Sequence, residues 1–412
     1  MQLTKCQELA TEALNQFLMS SEKYFVLLGA AGVGKTTLLN HVEKNFTHIK
    51  QMLQITGNDI DNFTWVYTAT TNKAVNSLRL ATKHQSETIH SLLGLRLVAD
   101  YQTGDFKLMP SKIINRDIDK LVIVVDEASY IDYDLLNYIH NLTPRCKVIF
   151  MGDKAQGTPV GLNHSPVFMQ GYTTFNMTEV VRQKANNPLI QALNSFRDYI
   201  LGTTDIFPRL KLSSAITWLD KQAFNDALEK EFTDSTWHSS MSKIVCRYNR
   251  TVNKYNKHIF TLANQRSEYM FGDIVLNNHA VEGIKTDQEV EIKKVYKNIT
   301  KYGVLGTEYL VDTGAKQYYV FMPNKVSHIK KKREEAIANQ ETNVVKEIMN
   351  NWVDLRPTYA CTVNKSQGST FDRVYVDLND FKGMKDKVAL ARSLYVAFSR
   401  AKEQIILTGD IA

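Results

Sequence analysis

The chain has 412 residues, of which 23% are charged and 43% are apolar, and its formal net charge is +7. This length is too great for a single hydrophobic core, so we expect two main domains. The composition is typical of a soluble globular protein, and no apolar run approaches the length of a membrane span, which argues against an integral membrane protein. The positive charge fits a partner that is a polyanion.

The N-terminal sequence and the positions of the cysteines both bear on the cellular compartment expected for the protein. Residues 1–5 lack the apolar core of a signal peptide, so a cytoplasmic location is expected. The four cysteines, at positions 6, 146, 246 and 361, have no metal-ligand spacing. Because a reducing compartment argues against disulfides, we interpret the cysteines as small buried apolar residues.

The first predicted strand, Tyr24 to Leu28, runs directly into the glycine-rich segment Gly29-Ala-Ala-Gly-Val-Gly34-Lys35-Thr36. This G-x4-G-K-[ST] pattern between a strand and a helix is typical of a phosphate-binding loop. Glycines let backbone N–H groups approach phosphate oxygens, and the following helix directs its positive end at the same charge. Lys35 would hold the outer phosphates, and the Thr36 hydroxyl would bind Mg²⁺. The sequence therefore predicts a nucleoside triphosphatase.

A small insertion is predicted next. Residues 93–114 contain Tyr101-Gln-Thr-Gly104-Asp-Phe106, a turn flanked by alternating side chains. This pattern predicts a β-hairpin inserted in the first domain.

Polar side chains follow two later strands. Asp126 and Glu127 come directly after the apolar run 121–125. Asp126 is suited to hold magnesium through water, and Glu127 to orient and deprotonate the attacking water, although such a pair can also simply begin a helix. Gln156 follows the run 148–151, where its neutral amide could contact a terminal phosphate; an ordinary strand-to-loop turn is the alternative.

Short apolar runs continue along the chain at 244–246, 374–376 and 405–407, separated by helical stretches. Such runs predict parallel sheets covered on both faces, with ligands at the carboxyl ends of the strands. Residues 273–325 instead alternate apolar and polar side chains, which predicts a small antiparallel barrel. A charged stretch beginning at Lys330 is predicted to be helical to about Trp352.

Two arginines are candidates for neutralising charge in the transition state, Arg182 and Arg400. An arginine finger can contribute about 10³ to 10⁵ in rate. A single arginine is more often a surface residue, so only the surroundings of these two favour the catalytic interpretation.

With these residues assembled, the chain resembles the superfamily-one DNA helicases, and most closely their RecD-like and phage Dda-like branch. The similarity extends from Leu3 to the C-terminus. The segments similar to family motifs are Leu3-Thr4-Lys5-Cys6-Gln7 (Q motif), Thr68 to Ala74 (Ia), Thr88 to Leu92 (the Thr-Ile-His segment), Gly152 to Pro159 (III), Arg182 (IV), Thr362 to Ser369 (V) and Tyr395 to Lys402 (VI).

The chain departs from the family pattern at two places. Motif III has Gln156-Gly157-Thr158-Pro159 where the family usually has Gln-Leu-Pro-Pro. Motif V has Asn364 where histidine is common. Asparagine can still donate to a phosphate, so the second contact can survive in altered form.

The resemblance implies an α/β fold of two RecA-like P-loop domains with parallel sheets. It adds a small hairpin insertion in the first domain and an SH3-like β-barrel insertion in the second. The implied boundaries are 1–92 and 115–184 for domain 1A, 93–114 for the hairpin 1B, 185–272 and 356–412 for domain 2A, and 273–355 for the barrel and charged helix of 2B.

The resemblance also implies roles for residues. Gln7 is the expected adenine contact, and the other expected nucleotide contacts are Gly29, Ala31, Gly32, Val33, Gly34, Lys35, Thr36, Thr37 and Gly368. The expected catalytic residues are Lys35, Asp126, Glu127, Gln156, Arg182 and Arg400, with Thr36 and Asp126 at the magnesium ion. The expected DNA contacts are Thr70, Thr71, Asn72, His90, Phe106, Thr362, Asn364 and Lys365.

Some aromatic and histidine side chains have a second interpretation. His90 is as readily a packing residue as a DNA contact. Trp65 and Tyr67 could stack on bases, but they lie within a predicted strand and are expected in the core. Phe106 is the expected aromatic near the tip of the hairpin.

The function implied is that of an ATP-dependent DNA helicase that uses ATP and Mg²⁺, moves 5′-to-3′ on single-stranded DNA and separates duplexes. Its expected partners are single-stranded and forked duplex DNA, with single-strand-binding or replication proteins as further candidates and no membrane. We expect a monomer, in the host cytoplasm if the protein is phage-encoded. Opening a base-pair step costs about 1.4 kcal/mol of stacking, and the hairpin is the hypothesis for the wedge that does so.

Three other functions are possible for a chain with a phosphate-binding loop. A translocase that displaces proteins from single strands shares every motif. A P-loop kinase would not need motifs V and VI. A non-catalytic binding protein is opposed by the intact residues Lys35, Thr36, Asp126, Glu127 and Arg400.

Overall fold

The computed structural model describes residues 3–30, 32–56, 63–111, 118–159, 161–162, 164–179 and 188–411. Two α/β domains, a hairpin and an inserted antiparallel sheet are built from these residues. The helices and strands of domain 1 are α1 (Lys5–Met19), β1 (Tyr24–Gly29), α2 (Lys35–Thr56), β2 (Thr64–Ala69), α3 (Asn72–Thr82), β3 (Ser86–Thr88), α4 (Ile89–Leu92), β4 (Leu95–Asp100), β5 (Asp105–Pro110), β6 (Leu121–Asp126), α5 (Tyr133–Leu142), β7 (Lys147–Gly152) and β8 (Thr173–Met177).

Domain 1 is organised around a six-stranded parallel sheet in the order β3-β2-β6-β7-β1-β8. The strands are apolar on both sides because each face is covered by helices. Phe25 and Leu27 of β1 pack toward α1, α2 and α3, whereas Val26 and Leu28 pack toward α4 and α5. Burying each such side chain contributes about 1.5–3 kcal/mol. The predicted apolar runs in this part of the chain are therefore strands, and Tyr67 is fully buried, as expected.

Domain 2 begins at Pro188 among the described residues and contains a second parallel sheet in the order β16-β10-β17-β18-β9. One face packs on α6 and α12, the other on α7 and α8. Its elements are α6 (Pro188–Ile200), β9 (Ile216–Trp218), α7 (Lys221–Phe232), β10 (Ser242–Cys246), α8 (Asn249–Asn264), β16 (Ala360–Thr362), α11 (Val363–Ser366), β17 (Phe371–Asp377), α12 (Lys387–Phe398) and β18 (Ala401–Thr408). The predicted fold of two parallel-sheet α/β domains is confirmed.

The insertion in domain 2 contains a five-stranded antiparallel sheet in the order β14-β13-β12-β11-β15. Its last strand ends at Arg356, one residue beyond the predicted boundary. The charged stretch expected to be one helix is two, because a turn at 339–341 folds the second back so that Ala336 and Val345 share a core. The elements are β11 (Ile274–Asn277), β12 (Glu289–Lys301), β13 (Val304–Asp312), β14 (Gln317–Pro323), α9 (Ser327–Ala338), α10 (Thr342–Asn351) and β15 (Leu355–Arg356).

The hairpin formed by β4 and β5 lies within the range predicted for it and contacts the insertion. Ile337 of α9 packs on Gly104 at the turn, 2.5 Å from where a Cβ would lie. The Tyr101 hydroxyl lies 3.3 Å from Asn350 Oδ1 of α10, within hydrogen-bond distance. The hairpin is thus attached to domain 1 at its base and to the domain 2 insertion at its tip.

Two remaining expectations concern cysteines and membranes. All four cysteines are free; Cys146, Cys246 and Cys361 are buried, and Cys6 is partly exposed. Within the described ranges, no helix has the length and apolarity needed to span a bilayer.

Candidate active site

The phosphate-binding loop lies at the carboxyl end of β1, as the sequence predicted. Gly32 and Gly34 have φ angles of 86° and 85°, which side chains other than glycine rarely adopt. Val33, between them, is buried in the core and anchors the loop. Ala31 lies outside the described residues.

Lys35, Thr36 and Thr37 form the first turn of α2. The Lys35 ammonium donates to the carbonyl oxygens of Gly29 and Ala30, at 2.6 and 3.1 Å. The positive end of the helix and this ammonium therefore lie over the same loop, which is an arrangement suited to anionic oxygens.

Gln7 lies beside this loop. It is 1% exposed, and its side chain takes part in a capping box at the start of α1 with Thr4. Its amide nitrogen lies 3.5 Å from the Val33 carbonyl oxygen. The capping box fixes the Gln7 side chain against the phosphate-binding loop.

Asp126 and Glu127 stand at the end of β6. Glu127 adopts a left-handed conformation, with φ 54° and ψ 41°, and its N–H donates to Asp126 Oδ1 at 2.8 Å. Burial raises the pKa of Asp126, while the Lys35 ammonium lowers it. Burial and the Asp126 carboxylate raise the pKa of Glu127 to about 7, and Arg400 and Lys35 oppose that rise. Burial therefore makes Glu127 a stronger proton acceptor than an exposed glutamate, as a general base requires.

Arg400 reaches this site from domain 2. It follows α12, is only 4% exposed, and donates to the Val396 carbonyl, the Ser399 hydroxyl and the Ser369 carbonyl, all neutral oxygens. Its influence on the pKa of Glu127 acts across the two domains. Arg182, the other predicted arginine, lies outside the described residues.

The loop after β7, residues 153–157, belongs to domain 1 but is held by domain 2. The buried Asp153 carboxylate accepts from the Tyr395 hydroxyl at 2.6 Å and from Arg197 Nε at 3.4 Å. Arg392 donates to the backbone oxygens of Lys154 and Gln156. The Gln156 side chain is buried, and its Oε1 has no hydrogen-bond partner among the described residues.

Sequence reasoning assigned no role to Asp153 or Tyr395, although both lie within quoted motifs. A carboxylate directly after a buried strand was the available signal for Asp153. The Tyr395 hydroxyl gave no such signal, because its partner is 242 positions away.

The segments expected to contact DNA, 70–72 and 362–365, face each other across the domains. Thr71 and Thr362 cap the N-termini of α3 and α11. Ser77 donates to the Gly368 carbonyl at 3.1 Å, and a Cβ at Gly368 would lie 3.4 Å from Thr71 Oγ1. Gly368, expected near the nucleotide, thus packs on the first turn of α3.

Lys365, an expected DNA contact, has three hydrogen-bond acceptors within the protein. Its ammonium donates to Asp287 Oδ1 and Asn278 Oδ1, both at 2.7 Å, and to the Asn278 carbonyl at 3.0 Å. These three acceptors belong to the insertion, so Lys365 joins motif V to the insertion instead of presenting a free charge. Its own carbonyl accepts from Lys73 Nζ of domain 1 at 2.8 Å.

His90 and Phe106 lie apart from these segments. His90 is half-buried, and burial lowers its pKa, with Asp132 opposing. Phe106 is 43% exposed on β5 and lines a cavity of about 820 Å³ between the hairpin and the insertion. Both placements are compatible with packing as well as with DNA contact.

Two family models match the chain. The model described as AAA domain matches residues 3–217, just over half of the chain, and the model described as UvrD-like helicase C-terminal domain matches residues 357–408. The second match contains motifs V and VI.

Individual proteins and solved structures are also similar to this chain. Uncharacterized protein R530 of Acanthamoeba polyphaga mimivirus is 23% identical over 505 residues, covering 98% of both chains. The ATP-dependent RecD2 DNA helicase of Deinococcus radiodurans is 26% identical over 200 residues, which cover 46% of this chain and 25% of that protein. The crystal structure of Pif1 helicase from Bacteroides with ADP-AlF3 and single-stranded DNA has a TM-score of 0.52 at 17% identity, covering 100% of this chain and 93% of that one.

At that identity the structural likeness concerns the fold alone, and the family rests on the two model matches. The chain belongs to the AAA domain family, carries a UvrD-like helicase C-terminal domain, and is an enzyme that hydrolyses ATP.

Proposed function

We propose that this protein is an ATP-dependent DNA helicase that moves 5′-to-3′ along single-stranded DNA and separates duplexes. The observation that carries the proposal is an ATP site completed by both domains. Burial raises the pKa of Glu127 in domain 1, and the Arg400 guanidinium of domain 2 opposes that rise. The expected DNA-contact segments of the two domains are joined where Lys73 Nζ donates to the Lys365 carbonyl at 2.8 Å and where Gly368 packs on Thr71. A change at the ATP site can therefore move one DNA-facing segment relative to the other.

The residues present fit a magnesium-bound nucleoside triphosphate. The N–H groups of residues 32–36 and the Lys35 ammonium supply donors for phosphate oxygens. Thr36 and Asp126 would hold Mg²⁺, which supplies charge neutralisation to the outer phosphates. The buried, unpartnered Gln156 Oε1 indicates a polar group still to be bound there. Gln7, held beside Val33, is the proposed adenine contact.

Hydrolysis needs a base and a compensating charge. Glu127, with its raised pKa, accepts the proton of the attacking water, and Gln156 orients that water. Arg400 stabilises the charge that develops on the outer phosphate, because its guanidinium is held by neutral oxygens and not neutralised by a carboxylate. Arg182 is proposed as a second such arginine.

The proposed DNA track uses Thr70, Thr71 and Asn72 on domain 1 and Thr362 and Asn364 on domain 2. Hydroxyl, amide and helix-start N–H groups contact phosphates without reading bases, so binding is tolerant of sequence. Closure of the domains around ATP brings the two sets together, and release after hydrolysis separates them. His90 extends the track on domain 1.

The hairpin is the proposed wedge. With Tyr101 and Gly104 held by α10 and α9, its tip resists displacement by the incoming duplex. Phe106, exposed on β5, is placed to stack on a base, an interaction worth about 1–3 kcal/mol. We take the five-stranded sheet of the insertion to be an SH3-like barrel that supports this contact. A supported hairpin favours duplex separation over protein displacement alone.

Unwinding of forked DNA with a single 5′ or 3′ tail tests the proposal. We expect ATP-dependent strand separation with the 5′ tail and little with the 3′ tail. A Lys35→Ala variant serves as the control for nucleotide dependence. Preference for the 3′ tail would reverse the proposed direction, and displacement of a tail-bound protein without strand separation would favour the translocase.

A further inference from the structure

Gln367 is a residue of motif V to which the proposed function assigns no role. It directly follows α11, the short helix whose N-terminus is capped by Thr362. The side chain is 3% exposed, yet neither Nε2 nor Oε1 has a hydrogen-bond partner among the described residues. An unsatisfied buried polar group costs about 1–3 kcal/mol, so such a side chain is rarely retained without a role.

The Gln367 carboxamide packs on Gly157, in the loop held by domain 2. A Cβ on Gly157 would collide with Gln367 Nε2 and would lie 3.0 Å from its Oε1 and 3.1 Å from its Cδ. The Gly157 φ angle is not in the left-handed region, so the glycine is needed for space and not for its backbone conformation.

The neighbour of Gly157 in the chain is Gln156, whose Oε1 is likewise buried and unpartnered. Three buried amide atoms without a hydrogen-bond partner among the described residues therefore lie near Gly157: one on Gln156, its neighbour in the chain, and two on Gln367, which packs on it. Gln156 belongs to motif III, which the proposal places at the ATP site. Gln367 belongs to motif V, which the proposal places at the DNA. The backbone of Gln156 is fixed by Arg392 Nη1 at 2.7 Å, which leaves the amide contacts as the part free to change.

We propose that Gln367, through its contact with Gly157, is the positioning residue by which the DNA-facing segment 362–369 sets the placement of Gln156 over the ATP site. Gln367 touches neither the nucleotide nor the reacting water in this role. A strand bound at Thr362 and Asn364 fixes α11, and Gln367, which ends that helix, fixes Gly157 and hence Gln156. The inference rests on the proposed function, because it presupposes that single-stranded DNA stimulates hydrolysis.

A double-mutant cycle on Gly157→Ala and Gln367→Ala tests it. The added methyl displaces the Gln367 carboxamide, and the Gln367→Ala change removes it. Because misplacement by about 1 Å can cost on the order of 10²-fold in rate, we expect each single variant to lower DNA-stimulated kcat by at least about tenfold. In the Gln367→Ala background the Gly157→Ala change meets no carboxamide, so it should have less than about a twofold further effect.

The measurements are ATP turnover with and without saturating single-stranded DNA, and the DNA concentration for half-maximal stimulation. The ratio of DNA-stimulated to unstimulated turnover should fall, while the DNA concentration for half-maximal stimulation should stay unchanged. Loss of folding would lower both turnover rates, and loss of DNA binding would raise the half-maximal DNA concentration. Gln191→Ala, on an exposed position of α6, is the matched control and should retain the full ratio. The far-UV spectrum and melting temperature establish that each variant is folded.

The possible failures are distinct. If the unmodified protein is not stimulated by DNA, the proposed function fails. If it is stimulated and both single variants are stimulated equally well, or if the two effects multiply in the double variant, the role assigned to Gln367 is wrong while the helicase proposal stands.

Discussion

At the residue scale, the backbone of Glu127 is held in an uncommon conformation. A non-glycine residue at φ 54° costs roughly 1–3 kcal/mol, and such strain persists only where the surroundings impose it. Here β6 fixes Asp126, and the Glu127 N–H is bonded to the Asp126 carboxylate. The pKa of Glu127 is raised to about 7, first by burial and then by the neighbouring Asp126 carboxylate.

Replacing Glu127 by glutamine tests its assignment as the base. The amide keeps the shape of the side chain but cannot accept a proton, so we expect kcat to fall by about 10²- to 10⁴-fold. Affinities for ATP and for single-stranded DNA should be retained. Steady-state turnover and equilibrium binding of a fluorescent nucleotide measure the two effects.

The exposed Glu12 of α1 offers a matched control, since Glu12→Gln removes the same charge far from the site. Near-normal turnover in Glu127→Gln would remove Glu127 from its role.

At the element scale, the loop after β7 is continuous with domain 1 and packed into domain 2. Ala155 belongs to the same core cluster as Leu394 and Phe398 of α12. The Asp153 carboxylate, 1% exposed, depends on the Tyr395 hydroxyl, the Arg197 side chain and the Ala155 N–H. Loss of any of these donors leaves a buried charge less well satisfied.

The Tyr395→Phe variant removes one donor and little volume. A hydrogen bond to a charged group contributes about 1.5–3 kcal/mol, and in a domain of this size each kcal/mol lowers the melting temperature by about 2–4 °C. We expect a lower melting temperature together with weaker stimulation of turnover by DNA, because the loop carrying Gln156 is less firmly held. Calorimetry and ATPase assays measure both.

Tyr133→Phe removes a hydroxyl from a side chain that is 57% exposed and should change neither quantity. If Tyr395→Phe behaves as that control does, Tyr395 does not anchor the loop.

The hairpin is the second element with a separable role. Deleting residues 101–106 removes the turn and the contacts that Tyr101 and Gly104 make with the insertion. The ATP site and the proposed DNA track are untouched, so we expect DNA-stimulated ATPase to be retained while unwinding of a fork is lost. Substituting the exposed turn residue Gln102 by alanine should leave both activities intact. Normal unwinding by the deletion variant would place the wedge elsewhere.

At the scale of the whole molecule, the features predictable from the sequence are those set by neighbouring residues. Buried parallel strands need unbroken apolar runs, so strands such as 148–151 were evident, as was the phosphate-binding loop between a strand and a helix. Contacts between distant segments left no local pattern. The pairing of Tyr395 with Asp153, the seating of Gln367 on Gly157 and the engagement of Lys365 by Asp287 all depend on how the domains pack.

The fold of the insertion illustrates the same division. Alternation of apolar and polar residues correctly indicated antiparallel strands, because each strand has one buried face. The break between α9 and α10 was missed, since both halves have helical composition and only packing of Ala336 against Val345 requires the turn. Docking of the hairpin on these helices was likewise not predictable from local sequence.

Salt concentration should affect the protein's contacts with DNA phosphates and its buried interdomain contacts differently. Contacts with DNA phosphates release counterions and weaken as salt rises, whereas the interdomain contacts of the Asp153 carboxylate with Tyr395 and Arg197 are buried and are screened much less. The formal charge of +7 adds a long-range attraction for DNA that salt also screens. Salt should therefore act on DNA binding and leave the coupled hydrolytic step nearly unchanged.

Titrating ATPase with oligonucleotides at several salt concentrations tests this separation. Between about 50 and 200 mM salt, the DNA concentration for half-maximal stimulation should rise on a log–log plot with a slope of about 0.7 for each phosphate contacted. The maximal stimulated turnover should stay nearly constant, and homopolymeric and mixed-sequence strands should behave alike, because phosphate contacts carry no base information. Constant half-maximal concentration with falling maximal turnover would mean that salt disrupts the interdomain surface itself, and the coupling between ATP and DNA would then depend on exposed charges instead of buried contacts.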